Sequence, residues 1–106
     1  MNTSGITNPV VRSAIDALQK GDTQTWHALF TPDAQFFDDG QPRNLTQFST
    51  DAVGHERFLS IDHVSDNSLL IEGKFHSDTW GEFQTYFRFV LNHAGRITRL
   101  DIGQVG

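Results

Sequence analysis

The chain contains no cysteine, so neither a disulfide nor a thiolate metal site is open to it. That suits a reducing compartment, and a cytoplasmic location is the expectation. Positive charge is scarce: 8 lysines and arginines against 13 acids leave a formal net charge of −5. A protein that grips phosphate backbones needs a basic footprint, so nucleic acid is not an expected partner. No apolar run approaches the roughly 20 residues of a membrane-spanning helix, so no membrane is expected either. The opening Met1-Asn2-Thr3-Ser4-Gly5 has no basic stretch and no apolar stretch, and does not read as a signal peptide. Neither a glycine-rich phosphate loop nor a Gly-x-Ser-x-Gly nucleophile elbow occurs. No cofactor is expected.

Apolar side chains, by contrast, are plentiful. Nine phenylalanines and two tryptophans in 106 residues can supply one compact core, so residues 1–106 read as a single domain. The first pattern is helical. Asn8 can cap, Pro9 suits the first turn, and Val11, Ala14, Ile15 and Leu18 share a face. Gly21 ends that helix. Asp22 or Thr23 can start a second, with Trp26, Leu29 and Phe30 on one face and Pro32 stopping it. A short strand is expected over Ala34 to Asp38, followed by the loop Asp39-Gly40-Gln41-Pro42. Leu45, Phe48, Ser49 and Ala52 have the spacing of a third helix, which Gly54 can end.

The rest reads as strand. Expected segments are Phe58 to Val64, Leu69 to His76, Trp80 to Leu91 and Arg96 to Ile102. Short connections favour an antiparallel meander. In the longest segment Phe83, Thr85, Phe87, Phe89 and Leu91 alternate with Glu82, Gln84, Tyr86, Arg88 and Val90. The first set must face the helices. The second, with Trp80, suits a wet face or a subunit contact, and a homodimer through Trp80, Tyr86 and Val90 is expected. Helices first and strands last give an α+β fold in which a curved antiparallel sheet wraps around N-terminal helices. A cone with an open end results, and a pocket there is the default site.

At this point the residues resemble a family. The run Ala17-Leu18-Gln19-Lys20-Gly21-Asp22, then Trp26-His27-Ala28-Leu29-Phe30, then Thr31-Pro32-Asp33-Ala34-Gln35-Phe36-Phe37-Asp38 is similar to the opening of the nuclear transport factor 2-like superfamily. That group includes the SnoaL-like polyketide cyclases and the ketosteroid isomerases. Phe87-Arg88-Phe89-Val90 before Gly95-Arg96-Ile97 is similar to its last hairpin. The resemblance implies a cone-shaped fold, frequent homodimers and a pocket at the wide end. It also places Asp38 where the isomerases carry a general base. Their oxyanion donors would fall near Ala14 and Phe87, whose side chains donate no hydrogen bond. Without such donors a base loses most of its leverage on an enolate.

Asp38 therefore has two readings: a desolvated general base at a pocket rim, or a cap for the turn that follows. His63, on the same side of its strand as Leu59 and Ile61, is either an acid–base partner for Asp38 or a hydrogen-bonded strand end. Trp26, Phe30, Phe36, Phe83, Phe87 and Phe89 are either plain core or the wall of a ligand pocket. His76-Ser77-Asp78 offers two metal ligands without a third, so no metal is expected. Two functions stand side by side. One is an isomerase, cyclase or dehydratase acting on a small apolar molecule in the cavity. The other is a non-catalytic binding or dimerisation module.

Overall fold

The structure, a computed structural model, describes residues 3–105. Its elements are α1 (Pro9–Lys20), α2 (Thr23–Ala28), β1 (Phe30–Asp38), β2 (Gln41–Pro42), α3 (Leu45–Ala52), β3 (Arg57–Ser65), β4 (Leu70–Ser77), β5 (Gly81–Leu91) and β6 (Ile97–Gln104). The strands form one sheet in the order β2-β1-β6-β5-β4-β3. The run from β3 to β6 is the antiparallel meander that the short turns favour. One seam differs from the expectation: β1 runs parallel to β6, so the sheet is mixed.

The helix ends follow their sequence signals. Asn8 Oδ1 accepts from the amides of Val10 and Val11, and Pro9 opens the first turn of α1. Gly21 closes it at φ 75°, a left-handed conformation that costs glycine nothing. Asp22 caps α2 through the Thr25 amide. Val11, Ala14, Ile15 and Leu18 are buried on the inner face of α1. Gln19 pins that helix to the sheet: its side chain donates to the Phe58 carbonyl and accepts from the Phe58 amide. It thus stands in for a missing neighbour at the start of edge strand β3.

Two boundaries move. Phe30 leaves the second helix and begins β1, which starts four residues before the expected Ala34. The cause lies across the seam. The Ile97 amide donates to the Leu29 carbonyl, and the Arg96 guanidinium donates to the carbonyls of Ala28 and Phe30. Pro32 is tolerated because the ladder is irregular between Phe30 and Gln35, where no amide is needed. Trp80 also moves. It sits in the β4–β5 turn rather than in a strand, 79% exposed, and so leaves the outer sheet face.

The inner face of β5 behaves as its alternation predicts. Thr85, Phe87 and Phe89 are buried, while Glu82, Gln84, Arg88 and Val90 are exposed. Phe87 meets Phe58 at 5.0 Å, Phe75 at 5.6 Å and Phe89 at 6.3 Å between ring centroids. Each such buried ring stabilises the fold by about 1.5–3 kcal/mol through area alone. Trp26 is wholly buried, and its indole N–H donates to Ser49 Oγ at 2.8 Å, tying α2 to α3. Ser49 passes the bond on to the Leu45 carbonyl, so no polar atom of the pair is left unmet.

Candidate functional site

A cavity of about 1080 Å³ opens where the ends of β1 and β6, the end of α3 and the β4–β5 turn come together. Its walls are Phe48, Phe75, Phe83, Phe87 and Ile102. Around them stand Asp38, Asp39, Asp51, Glu56, Asp78 and Glu82, with Arg43 and His55. The sequence reading made this pocket an apolar one. The structure gives it an apolar wall and an acidic mouth.

Asp38 ends β1 and lines the cavity. Burial pushes its carboxyl pKa up, the Asp39 charge adds to the rise, and Arg43 opposes it. Among the described residues its carboxylate accepts no hydrogen bond, so it caps nothing. Its neighbour Asp39 enters the turn at φ 50° and accepts the amide of Gln104, at the end of β6, on Oδ1 at 3.1 Å.

Glu56 is the residue that sequence reasoning missed. It lies between α3 and β3, half-buried, and burial is the main cause of its raised pKa. Ser77 Oγ donates to Glu56 Oε2 at 2.9 Å and pulls the pKa back. The charges of Asp78, Asp51 and Asp38 push it up again. Asp38 and Glu56 are therefore within electrostatic reach of each other. Ser77 is itself buried, and its oxygen accepts the amides of Thr79 and Trp80 at 3.2 Å each. One hydroxyl thus joins the second acid to the turn that carries Trp80. No period of helix or strand singles out Glu56. Its only sequence signal is a carboxylate just after the helix-ending Gly54.

The other expected site residues scatter. Phe83 and Phe87 line the cavity. Trp26, Phe30, Phe36 and Phe89 do not: all four are buried in the core. His63 is exposed and stands outside the cavity, so it is no partner for Asp38 here. The ladder shifts register between Phe58 and Ser60 and again between Ile61 and His63. Two irregularities break the simple alternation that put His63 on the side of Ile61. His76 and Asp78 approach to 3.1 Å, but no group of three metal-ligating side chains forms among the described residues. Ala14 and Phe87 are both buried, and only Phe87 reaches the cavity.

No family model matches the chain, and no curated protein matches it either. Solved structures do. An Orange Carotenoid Protein from Anabaena (Nostoc) binding canthaxanthin aligns with 94% of this chain at a TM-score of 0.75 and 19% identity. The chain spans only 36% of that protein's length. An NTF2-like protein of unknown function from Cytophaga hutchinsonii aligns over 88% of this chain and 84% of its own, with a TM-score of 0.72 and 12% identity. The chain has the nuclear transport factor 2-like fold. A protein from Sinorhizobium meliloti, provisionally named a polyketide cyclase, aligns over 96% of this chain and 99% of its own at 0.67 and 19% identity. Identities this low speak for the fold and leave the chemistry to the site.

Proposed function

We propose that the cavity binds a compact small molecule against its aromatic wall and that Asp38 acts on it as a general base, with Glu56 as the partner acid. The observation that carries this reading is a partly buried Asp38 carboxylate that lines the cavity with no hydrogen bond of its own. Such a group is free to take a proton, and its raised pKa makes it the stronger base. The proton would leave a carbon or hydroxyl of the substrate for Asp38. Glu56, when protonated, can give one back elsewhere on the molecule. Isomerisation, cyclisation and dehydration are all built from such a pair of transfers. The fold it shares with a provisionally named cyclase is compatible with this class.

Proton abstraction can be read without knowing the natural substrate. β-Tetralone, a small aromatic ketone, exchanges its α-protons in deuterium oxide under base catalysis. NMR should show the protein accelerating that exchange and Asp38→Asn abolishing the acceleration. Equal rates with the protein, the variant and buffer alone would sink the general-base reading.

A second reading is a non-catalytic module of the same fold. Two observations favour it: the neighbour that holds canthaxanthin, and the buried Ala14 and Phe87 where isomerases of this fold are expected to place oxyanion donors. Its dimer surface would be the outer sheet face at Tyr86 and Val90, the latter 44% exposed. Trp80 drops out of that surface because it stands at the cavity rim. Analytical ultracentrifugation at micromolar concentration tests the dimer, and a monomer there would count against it.

A further inference from the structure

The charges of this chain are not spread evenly. Six of its 13 acids line the cavity, but of its 8 lysines and arginines only Arg43 does. The seven acids elsewhere are matched by seven bases, so the formal excess of five negative charges belongs to this one lining. From outside the lining, Lys74 reaches Glu82 at 3.3 Å and His76 reaches Asp78 at 3.1 Å. Among the described residues the other four acids make no ion pair. Holding like charges around a partly dry cavity is unfavourable, and it gives the cavity a negative potential that an incoming cation relieves.

The arrangement suits an organic cation better than a metal ion. A bound divalent ion needs several oxygens converging at about 2.0–2.6 Å. No group of three metal-ligating side chains does so among the described residues. The carboxylates instead ring an apolar wall. At the rim Trp80 is 79% exposed with its turn anchored on Ser77. An aromatic face beside carboxylates attracts an ammonium group. The same ring of acids makes a bare enolate, such as that of a neutral ketone, a less favourable intermediate than one formed on a cationic substrate. A substrate that brings its own positive charge gives a zwitterionic intermediate instead, which the acids tolerate.

We propose that the cavity takes an amphiphilic organic cation, an amine or quaternary ammonium whose apolar body lies on the partly exposed rings of Phe48 and Phe83 and whose charge sits at the acidic mouth near Trp80. This rests on the reading of the cavity as a small-molecule site and adds the class of ligand.

Three probes with one body and different heads test it: naphthylmethyl-trimethylammonium, naphthylmethanol and naphthylmethanesulfonate, each titrated calorimetrically into the full chain. The ammonium should bind at least about tenfold more tightly than the alcohol, and the sulfonate most weakly. Salt at about 0.5 M should shrink that preference. The double variant Asp51→Asn/Asp78→Asn, which removes two exposed rim charges and leaves Asp38 and Glu56 in place, should cut the ratio of ammonium to alcohol affinity by about threefold or more; an unchanged ratio counts against the ligand class. Equal binding of all three, or tightest binding of the sulfonate, overturns the ligand class while leaving the cavity a binding site. Failure of all three to bind tells against both the class and the cavity reading beneath it.

Discussion

Replacing Ser77 by alanine separates the second acid of the site from the rest of the fold. Ser77 Oγ gives one hydrogen bond, to Glu56 Oε2 at 2.9 Å, and receives two, from the turn amides of Thr79 and Trp80 at 3.2 Å. The two amides lie in an exposed turn, so water can replace their acceptor at little cost. The bond to Glu56 matters more. A hydrogen bond to a charged group contributes about 1.5–3 kcal/mol, and screening at a half-exposed carboxylate keeps the figure near the bottom of that range. Ser77→Ala should therefore destabilise the protein by about 1–2 kcal/mol near neutral pH. For a domain of this size that is roughly 4–15 °C in melting temperature. The loss should also depend on pH. Glu56 already has a folded pKa above its ordinary 4.5, so its contribution to stability is present in full below that value and is lost as pH rises through the folded pKa. Ser77 lowers that folded pKa; without it the pKa climbs further, and the loss on raising pH is larger. The variant should thus lie close to wild type near pH 4 and fall behind above it. Urea denaturation at a series of pH values gives the stabilities, and NMR titration of the side-chain carboxyl carbons gives the Glu56 pKa. An unchanged Glu56 titration, or the same loss at acid and neutral pH, would refute the coupling of Ser77 to Glu56.

Asp38→Asn should leave the melting temperature at pH 7 unchanged or raised, because the wild-type carboxylate accepts no hydrogen bond and is penalised by burial. The advantage should vanish as pH falls toward the ordinary 3.8, where both chains carry a neutral group; a clear loss at pH 7 would make Asp38 structural. Gly73→Ala should destabilise by about 2 kcal/mol or more in urea titration, since a Cβ there would collide with the Ser60 carbonyl in the bulged β3–β4 ladder; wild-type stability would mean that the strands are not packed this closely. Ser49→Ala should lose about 1–3 kcal/mol by leaving the buried indole N–H unmet, and Trp26→Phe a similar amount through the lost bond and the smaller ring. Their double variant should lose clearly less than the two losses combined, and strict additivity would show that the 2.8 Å bond contributes nothing.

The parts of the fold that the sequence makes legible are those governed by one local period or one cap. Asn8, Pro9, Gly21 and Asp22 each act through atoms a few residues away, so their signals survive without tertiary knowledge. The alternation of β5 survives because the helices cover one of its faces along the strand. The start of β1 does not. A helix face through Trp26, Leu29 and Phe30 is a sound local pattern, but Arg96 and Ile97, more than sixty residues on, draw Phe30 into the sheet. His63 fails for a related reason. Alternation counts faces only while the ladder is regular, and β3 slips twice before that residue.

The site was legible only where it is built from strand interiors. Phe83 and Phe87 reach it because the β5 face that packs the core also continues into the cavity. The mouth is different. Asp38 closes a strand, Asp51 sits near a helix end, Glu56 lies between elements, and Asp78 belongs to a turn. No shared period connects them, and what brings them together is the closure of the sheet around α1. Asp38 was found because a family resemblance supplied its place; Glu56 had no such help, and its raised pKa is a property of the folded surroundings alone. Even the net charge of −5, visible at once in the composition, could be read only as an argument against nucleic acid. Once the chain is folded, that excess has a location. A property spread over the whole sequence becomes the charge of one cavity, and there it supports the proposed preference for a cation.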